Sequence, residues 1–123
     1  MNNAPATLLT NKNELSFTGT KIPSDAYYGF TDGLHSISID VTSFIGRIYI
    51  EGTLALNPTD NDWFTVSLDP INGFLEYNDE TSVNGYTFRG NLMYIRARID
   101  RDYLPGSPDL STLGSINKIL LNV

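Results

Sequence analysis

The sequence predicts an all-β fold: a single-domain antiparallel β-sandwich, jelly-roll-like, of about eight strands. Three observations predict it. Apolar and polar residues alternate in several runs, most cleanly in "SISIDVT" and "LMYIRARID", and a period of two places alternate side chains on opposite faces of a sheet. Glycine, proline and Asn-Gly pairs separate the runs at short intervals. No stretch of ordinary helical length shows the 3.6-residue period.

Residues 1–13 are polar around Leu8 and Leu9 and read as an N-terminal arm or a first edge strand, ahead of a sandwich over 14–123. In "ELSFTGTKI", Leu15 and Phe17 alternate with Ser16 and Thr18 as a strand does. "PSDAYYGFTDGLH" is a long loop carrying the ring cluster Tyr27, Tyr28 and Phe30. Those rings either cap one end of the core or are offered to a partner. Ile37, Ile39 and Val41 form the inner row of the next strand, and "FIG" is expected to turn the chain. A strand over "RIYIEGTLAL" then puts Ile48, Ile50, Leu54 and Leu56 inward and Arg47, Tyr49, Glu51 and Thr53 outward. Gly52 interrupts the inner row, as at a bulge or a close backbone approach.

"WFTVSL" predicts a strand with Phe64, Val66 and Leu68 on one face and Trp63, Thr65 and Ser67 on the other. Asn72-Gly73 and Asn84-Gly85 are hairpin signals, since both residue types tolerate positive φ; short strands over 74–78 and 86–89 fit around them. In "LMYIRARID", Met93, Ile95, Ala97 and Ile99 oppose Leu92, Tyr94, Arg96 and Arg98. "SINKILLNV" has apolar residues on both faces and reads as a central or partly covered strand.

The chain of 123 residues is 41% hydrophobic and 18% charged, the balance of a globular domain with a real core. With no cysteine it has no disulfide, thiolate metal site or cysteine nucleophile. A net charge of −6 disfavours nucleic acid and anionic membranes as partners. No stretch has the roughly 18 apolar residues of a membrane span. "MNNAPATLLTNKN" lacks the basic-then-apolar order of a secretory signal.

Catalytic and metal chemistry find little support. His35, the single histidine, reads as a strand residue making ordinary hydrogen bonds; "GLHS" is not a nucleophile elbow. The acidic pairs Asp60/Asp62, Asp79/Glu80 and Asp100/Asp102 lack the length and glycine placement of a calcium loop, and read as solvated turn carboxylates. No carboxylate pair is nominated for hydrolysis, so no catalytic residue, metal ligand or cofactor is assigned. Arg96, Arg98 and Arg101 form a local basic patch, with Glu51 and Asp40 as cross-strand partners. Trp63, the only tryptophan, stands on a polar strand face, where it packs over a sheet edge or stacks on a sugar or partner residue.

Beyond these readings, one order of short motifs stands out: "GLHSISIDVTSFIGRIYIEGTLALNPTDNDWF", then "FRGNLMYIRARI", then "GSINKILLN". In this order, over roughly residues 19–122, the chain resembles small structural proteins of tailed marine phages, particularly contractile-tailed phages of cyanobacteria. The "DW" strand and the later tyrosine-x-arginine strand are also similar to galactose-binding, discoidin-type sandwiches. The cysteine pair common in secreted discoidin domains is missing, so no ligand residue is carried over. The resemblance implies a non-enzymatic component of a virion, present in many copies or as a homo-oligomer, that docks on other structural proteins of the head, neck or tail. Its candidate contact residues are Tyr27, Tyr28, Phe30, Trp63 and Tyr94. The alternative is a carbohydrate-binding or host-attachment module that takes a host glycan around Trp63.

Overall fold

The computed structural model describes residues 6–29, 33–106 and 108–122. Among these lie eight strands and one short α-helix, besides two 3-10 turns at Asp60–Asp62 and Leu110–Thr112: β1 (Ala6–Lys12), β2 (Ser16–Thr18), β3 (Ile22–Pro23), α1 (Asp25–Tyr28), β4 (Leu34–Thr53), β5 (Phe64–Thr65), β6 (Leu75–Arg89), β7 (Tyr94–Asp100) and β8 (Ser115–Asn122). All pairings are antiparallel and all eight strands join one hydrogen-bonded sheet, curled into a half-barrel. The all-β expectation of about eight strands is met. The layers of the expected sandwich are portions of a single sheet.

β4 explains the curl. Its first half pairs with β8, from Ser36↔Asn122 to Thr42↔Ser115, and β8 pairs in turn with β1. Its second half pairs with β7, from Arg47↔Asp100 to Thr53↔Tyr94, and β7 carries β2 and β3. Along the other edge of β4 runs β6, continued by β5. A straight strand of 20 residues would measure about 65 Å. Here Gly90 N–H donates to Gly33 O and Met93 N–H donates to Thr53 O, both at 2.8 Å. The three residues from Gly90 to Met93 reach at most about 11 Å. The two ends of β4 are therefore neighbours, and the strand is folded back over the core.

The bend falls at Ser43–Gly46. Ser43 (φ 50°) and Gly46 (φ 148°) leave the extended region, and the register with β6 shifts on both sides of Phe44. This corrects the reading of "FIG" as a turn. The chain bends without reversing, because β6 follows it round and bends at Asp79 (φ 56°). Ile37, Ile39, Val41, Phe44, Ile48, Ile50, Ile95, Ala97, Ile99, Ile116, Ile119 and Leu121 fill the inner side, each at most 2% exposed. Leu8 and Leu9 close it from β1, so Ala6–Lys12 takes the edge-strand form.

Other local expectations are corrected as well. Asn84-Gly85 makes no turn: Ser38↔Gly85 and Ile39↔Asn84 lie in the regular β4–β6 ladder. Pairing against the apolar row of β4 overrides the local turn propensity. Asn72-Gly73 does turn, with Gly73 at φ 83° and Asp69 Oδ1 accepting from the N–H groups of Ile71 and Asn72 at 2.8 and 2.9 Å. The "WFTVSL" strand shrinks to Phe64–Thr65. Phe64, expected inside, is 46% exposed, because Leu92 fills the inner space over Gly52, where a Cβ would stand 2.7 Å from Leu92 Cδ1. Gly52 is thus the site of a close side-chain approach.

Arg101 leaves the basic patch altogether. It is 0% exposed and sits inside the bend of β4. Its guanidinium donates to Asn13 Oδ1 and to the carbonyls of Glu14, Leu113 and Gly114, and lies 4.3 Å from the centre of the Phe44 ring. Burial lowers its pKa.

Candidate functional site

Closing β4 on itself makes one end of the half-barrel distinctive. The helix α1 is anchored there. Its start is tied down by Ser24 N–H to Met93 O (2.9 Å) and Ala26 N–H to Leu92 O (3.1 Å). Its single turn ends at Gly29, whose left-handed φ of 77° lets the chain leave. Beneath it Asp25 is 4% exposed and accepts from Gly33 N–H (2.7 Å) and the Ser24 hydroxyl (3.1 Å). His35 Nε2 lies 2.9 Å from both Asp25 Oδ1 and Gly90 O. Both are acceptors, so Nε2 carries a hydrogen. Ser24, Asp25 and His35 lie together, but they do not form a catalytic triad. The hydroxyl donates to the carboxylate and not to the imidazole, and the three are 0%, 4% and 1% exposed. A buried carboxylate held by this many donors is a staple between α1, the start of β4 and the end of β6.

Above the staple the surface is aromatic and apolar. Tyr27 packs edge-on against Tyr28 at 5.2 Å between ring centres and lies tilted against Tyr94 at 5.7 Å, and Lys21 Nζ lies 5.3 Å from the Tyr94 ring centre. Tyr94 is buried in β7, while Tyr27 and Tyr28 are 49% and 54% exposed. Both rings lie at the end of the core with about half their surface open. One position further along the same face of β7, Arg96 lies 4.1 Å from the centre of the Trp63 ring. Arg96 Nε donates to Glu51 Oε1 (2.8 Å), and Arg98 Nε to Glu51 Oε2 (3.0 Å). Arg98 in turn covers Tyr49 at 4.1 Å. The expected partnership of Glu51 with Arg96 and Arg98 therefore exists. Asp40 has a different neighbour, accepting from Asn117 Nδ2 at 3.0 Å.

Nine large hydrophobic side chains stand exposed among the described residues, and six belong to this end: Tyr27, Tyr28, Leu34, Leu54, Leu56 and Phe64. Their placement follows from connectivity. Leu34 begins β4, Leu54 and Leu56 follow its last residue, and Phe64 lies opposite Gly52. Four of the sequence candidates, Tyr27, Tyr28, Trp63 and Tyr94, fall in the same region, whereas Phe30 lies outside the described residues. Leu34, Leu54, Leu56 and Phe64 were not singled out. Leu54 and Leu56 follow the inner-row alternation in sequence, but β4 stops at Thr53, and beyond that point the row points to solvent at 67% and 58% exposure.

Several members of the acidic pairs accept hydrogen bonds. Asp62 Oδ2 accepts from Thr59 N–H (2.6 Å) and its hydroxyl, Asp100 Oδ1 from Asp102 N–H (3.0 Å), and Asp102 Oδ2 from the Ser16 hydroxyl (2.7 Å). Among the described residues, no group of three His, Cys, Asp or Glu is placed to hold a metal ion, and no helix is long and apolar enough to cross a membrane. In comparisons with known proteins, the chain matches no family model, no curated protein and no solved structure.

Proposed function

We propose that this chain is a non-enzymatic structural protein of a virion, of the tailed-phage type its motif order resembles, and that it docks on neighbouring structural subunits in multiple copies. The observation that carries the reading is the gathering of exposed apolar side chains at the closed end of the half-barrel. Scattered single hydrophobics are ordinary on a surface, whereas six of nine falling on the segments that meet at one end favour a contact there. Its composition suits protein contact, since tyrosine, tryptophan and arginine dominate binding hot spots. The support beneath it is stiff: the Asp25–His35 staple holds α1, and Glu51 locks Arg96 against Trp63. Little side-chain freedom is then lost on docking. A sugar finds a poorer platform here, because one face of Trp63 is already covered by Arg96.

The double variant Tyr27→Ala with Tyr28→Ala tests this. The two rings stand about half exposed, so the isolated protein is expected to melt within a few degrees of the parent. Incorporation into the particle is expected to fall at least about tenfold, the loss of about 1.4 kcal/mol of contact. Normal incorporation would reduce the rings to a cap over the core.

A further inference from the structure

A second surface, away from the closed end, points to a specific partner. β6 pairs with β4 along one edge and, among the described residues, with no strand along the other. An open strand edge is a row of unpaired backbone donors and acceptors that invites another strand, and proteins ordinarily blunt it. The other outer strands are blunted. β3 ends in Pro23, β2 and β5 are three and two residues long, and β1 is broken by a register shift between Thr7 and Leu9. β6 has no such device from Ser82 to Arg89. That stretch contains no proline or lysine, and its register with β4 runs without a shift from Val41↔Ser82 to Leu34↔Arg89.

The outer face of the same stretch carries a knob and a hole. Val83 is 68% exposed. Two residues on, Gly85 has no side chain, and a shallow, mostly apolar groove opens over it between Ser36, Ser38, Thr87 and Leu120. A knob and a hole two residues apart on one strand are complementary to themselves under a twofold axis through the residue between them.

We propose that a second copy of this chain pairs with β6, antiparallel, about a twofold axis at Asn84. Val83 of each copy then lies opposite Gly85 of the other and covers its groove. Thr81 lies opposite Thr87. Asp79, at the bend where β6 leaves this regular stretch, falls on the side of the other copy's Arg89 at both ends of the pairing. Asp79 and Arg89 are exposed, and neither makes an ion pair among the described residues. Moving the axis to Val83 or Gly85 loses the knob-in-hole contact, so shape selects this register. The dimer joins two half-barrels through one continuous sheet.

The test uses the full chain in sedimentation equilibrium. The expected mass is twice the chain's 13.6 kDa at about 100 µM, and Val83→Lys is expected to raise the dissociation constant at least about tenfold. Because the chain has no cysteine, Asn84→Cys gives each copy a single thiol. Residues opposite on antiparallel strands have Cα atoms about 4.5–5.5 Å apart, within disulfide range. Asn84→Cys is expected to cross-link at least about tenfold faster under mild oxidant than Thr87→Cys, whose two copies would stand about 20 Å apart. Melting curves of the variants confirm that each is folded. A mass of one chain at that concentration, or equal cross-linking by the two cysteine variants, would overturn the proposal.

Discussion

Arg101 brings a charge into the bend of β4, where oxygens of neutral groups receive it. Its four acceptors join the β1–β2 connection at Asn13 and Glu14 to the Leu113–Gly114 loop, so one side chain ties three parts of the sheet at its sharpest point. Arg101→Met keeps much of the volume but leaves these oxygens short of donors. A loss of about 3 kcal/mol is expected in urea unfolding. Arg101→Lys is expected to recover little, since a single ammonium cannot reproduce the spread of a guanidinium fork; recovery of parental stability would show that charge alone matters at this position. Sequence proximity to Arg96 and Arg98 suggested a surface patch. What separates the three is that Arg96 and Arg98 share the outward row of β7, while Arg101 lies just past its end and turns inward. Strand alternation says nothing about a residue beyond the last pair. His35 shows the converse. The expectation of ordinary hydrogen bonds held, but Asp25, ten positions earlier in a segment that reads as a loop, carries no local pattern that announces it as the partner.

At the scale of elements, the two long strands carry the fold by bending together. Gly114 belongs to this bend: at φ 71° its backbone lies so close to Ser43 that a Cβ would overlap the Ser43 carbonyl. Gly114→Ala is expected to cost about 3 kcal/mol or more, from strain and displaced backbone together. A Tm shift of less than a few degrees would mean the bend is not held there. The turn before β6 has its own pH signature. Hydrogen bonds from the backbone N–H groups of Asn72 and Ile71 hold the Asp69 carboxyl below its ordinary pKa. The folded pKa is depressed, so this contribution is fully present above the unfolded carboxylate value and is lost as pH falls through the folded one. Thermal stability measured below about pH 4 should therefore decline less steeply in Asp69→Asn than in the parent. An identical decline would detach the turn from acid sensitivity. Strands with clean alternation, such as "SISIDVT" and "YIRARID", were legible in sequence because burial of one face imposes the period. The continuity of β4 through "SFIG" and of β6 through Asn84-Gly85 was not. Each depends on the other strand lying alongside, and local turn chemistry argues against both.

For the whole molecule, a single sheet wraps one core and leaves two features outside it: the apolar closed end and the open edge of β6. The aromatic members of the closed end were legible because Tyr27, Tyr28 and Trp63 are conspicuous in polar contexts. The exposed leucines were hidden, because only the closure of β4 brings the start of the strand, at Leu34, to the end where Leu54 and Leu56 leave the sheet. The most direct test of the docking function is a cryo-EM reconstruction of the particle whose genome encodes this chain. Multiple copies are expected, each with Tyr27, Tyr28, Leu54, Leu56 and Phe64 buried against a neighbouring subunit. Absence of the chain from the particle, or copies whose closed end faces solvent throughout, would contradict the proposed function.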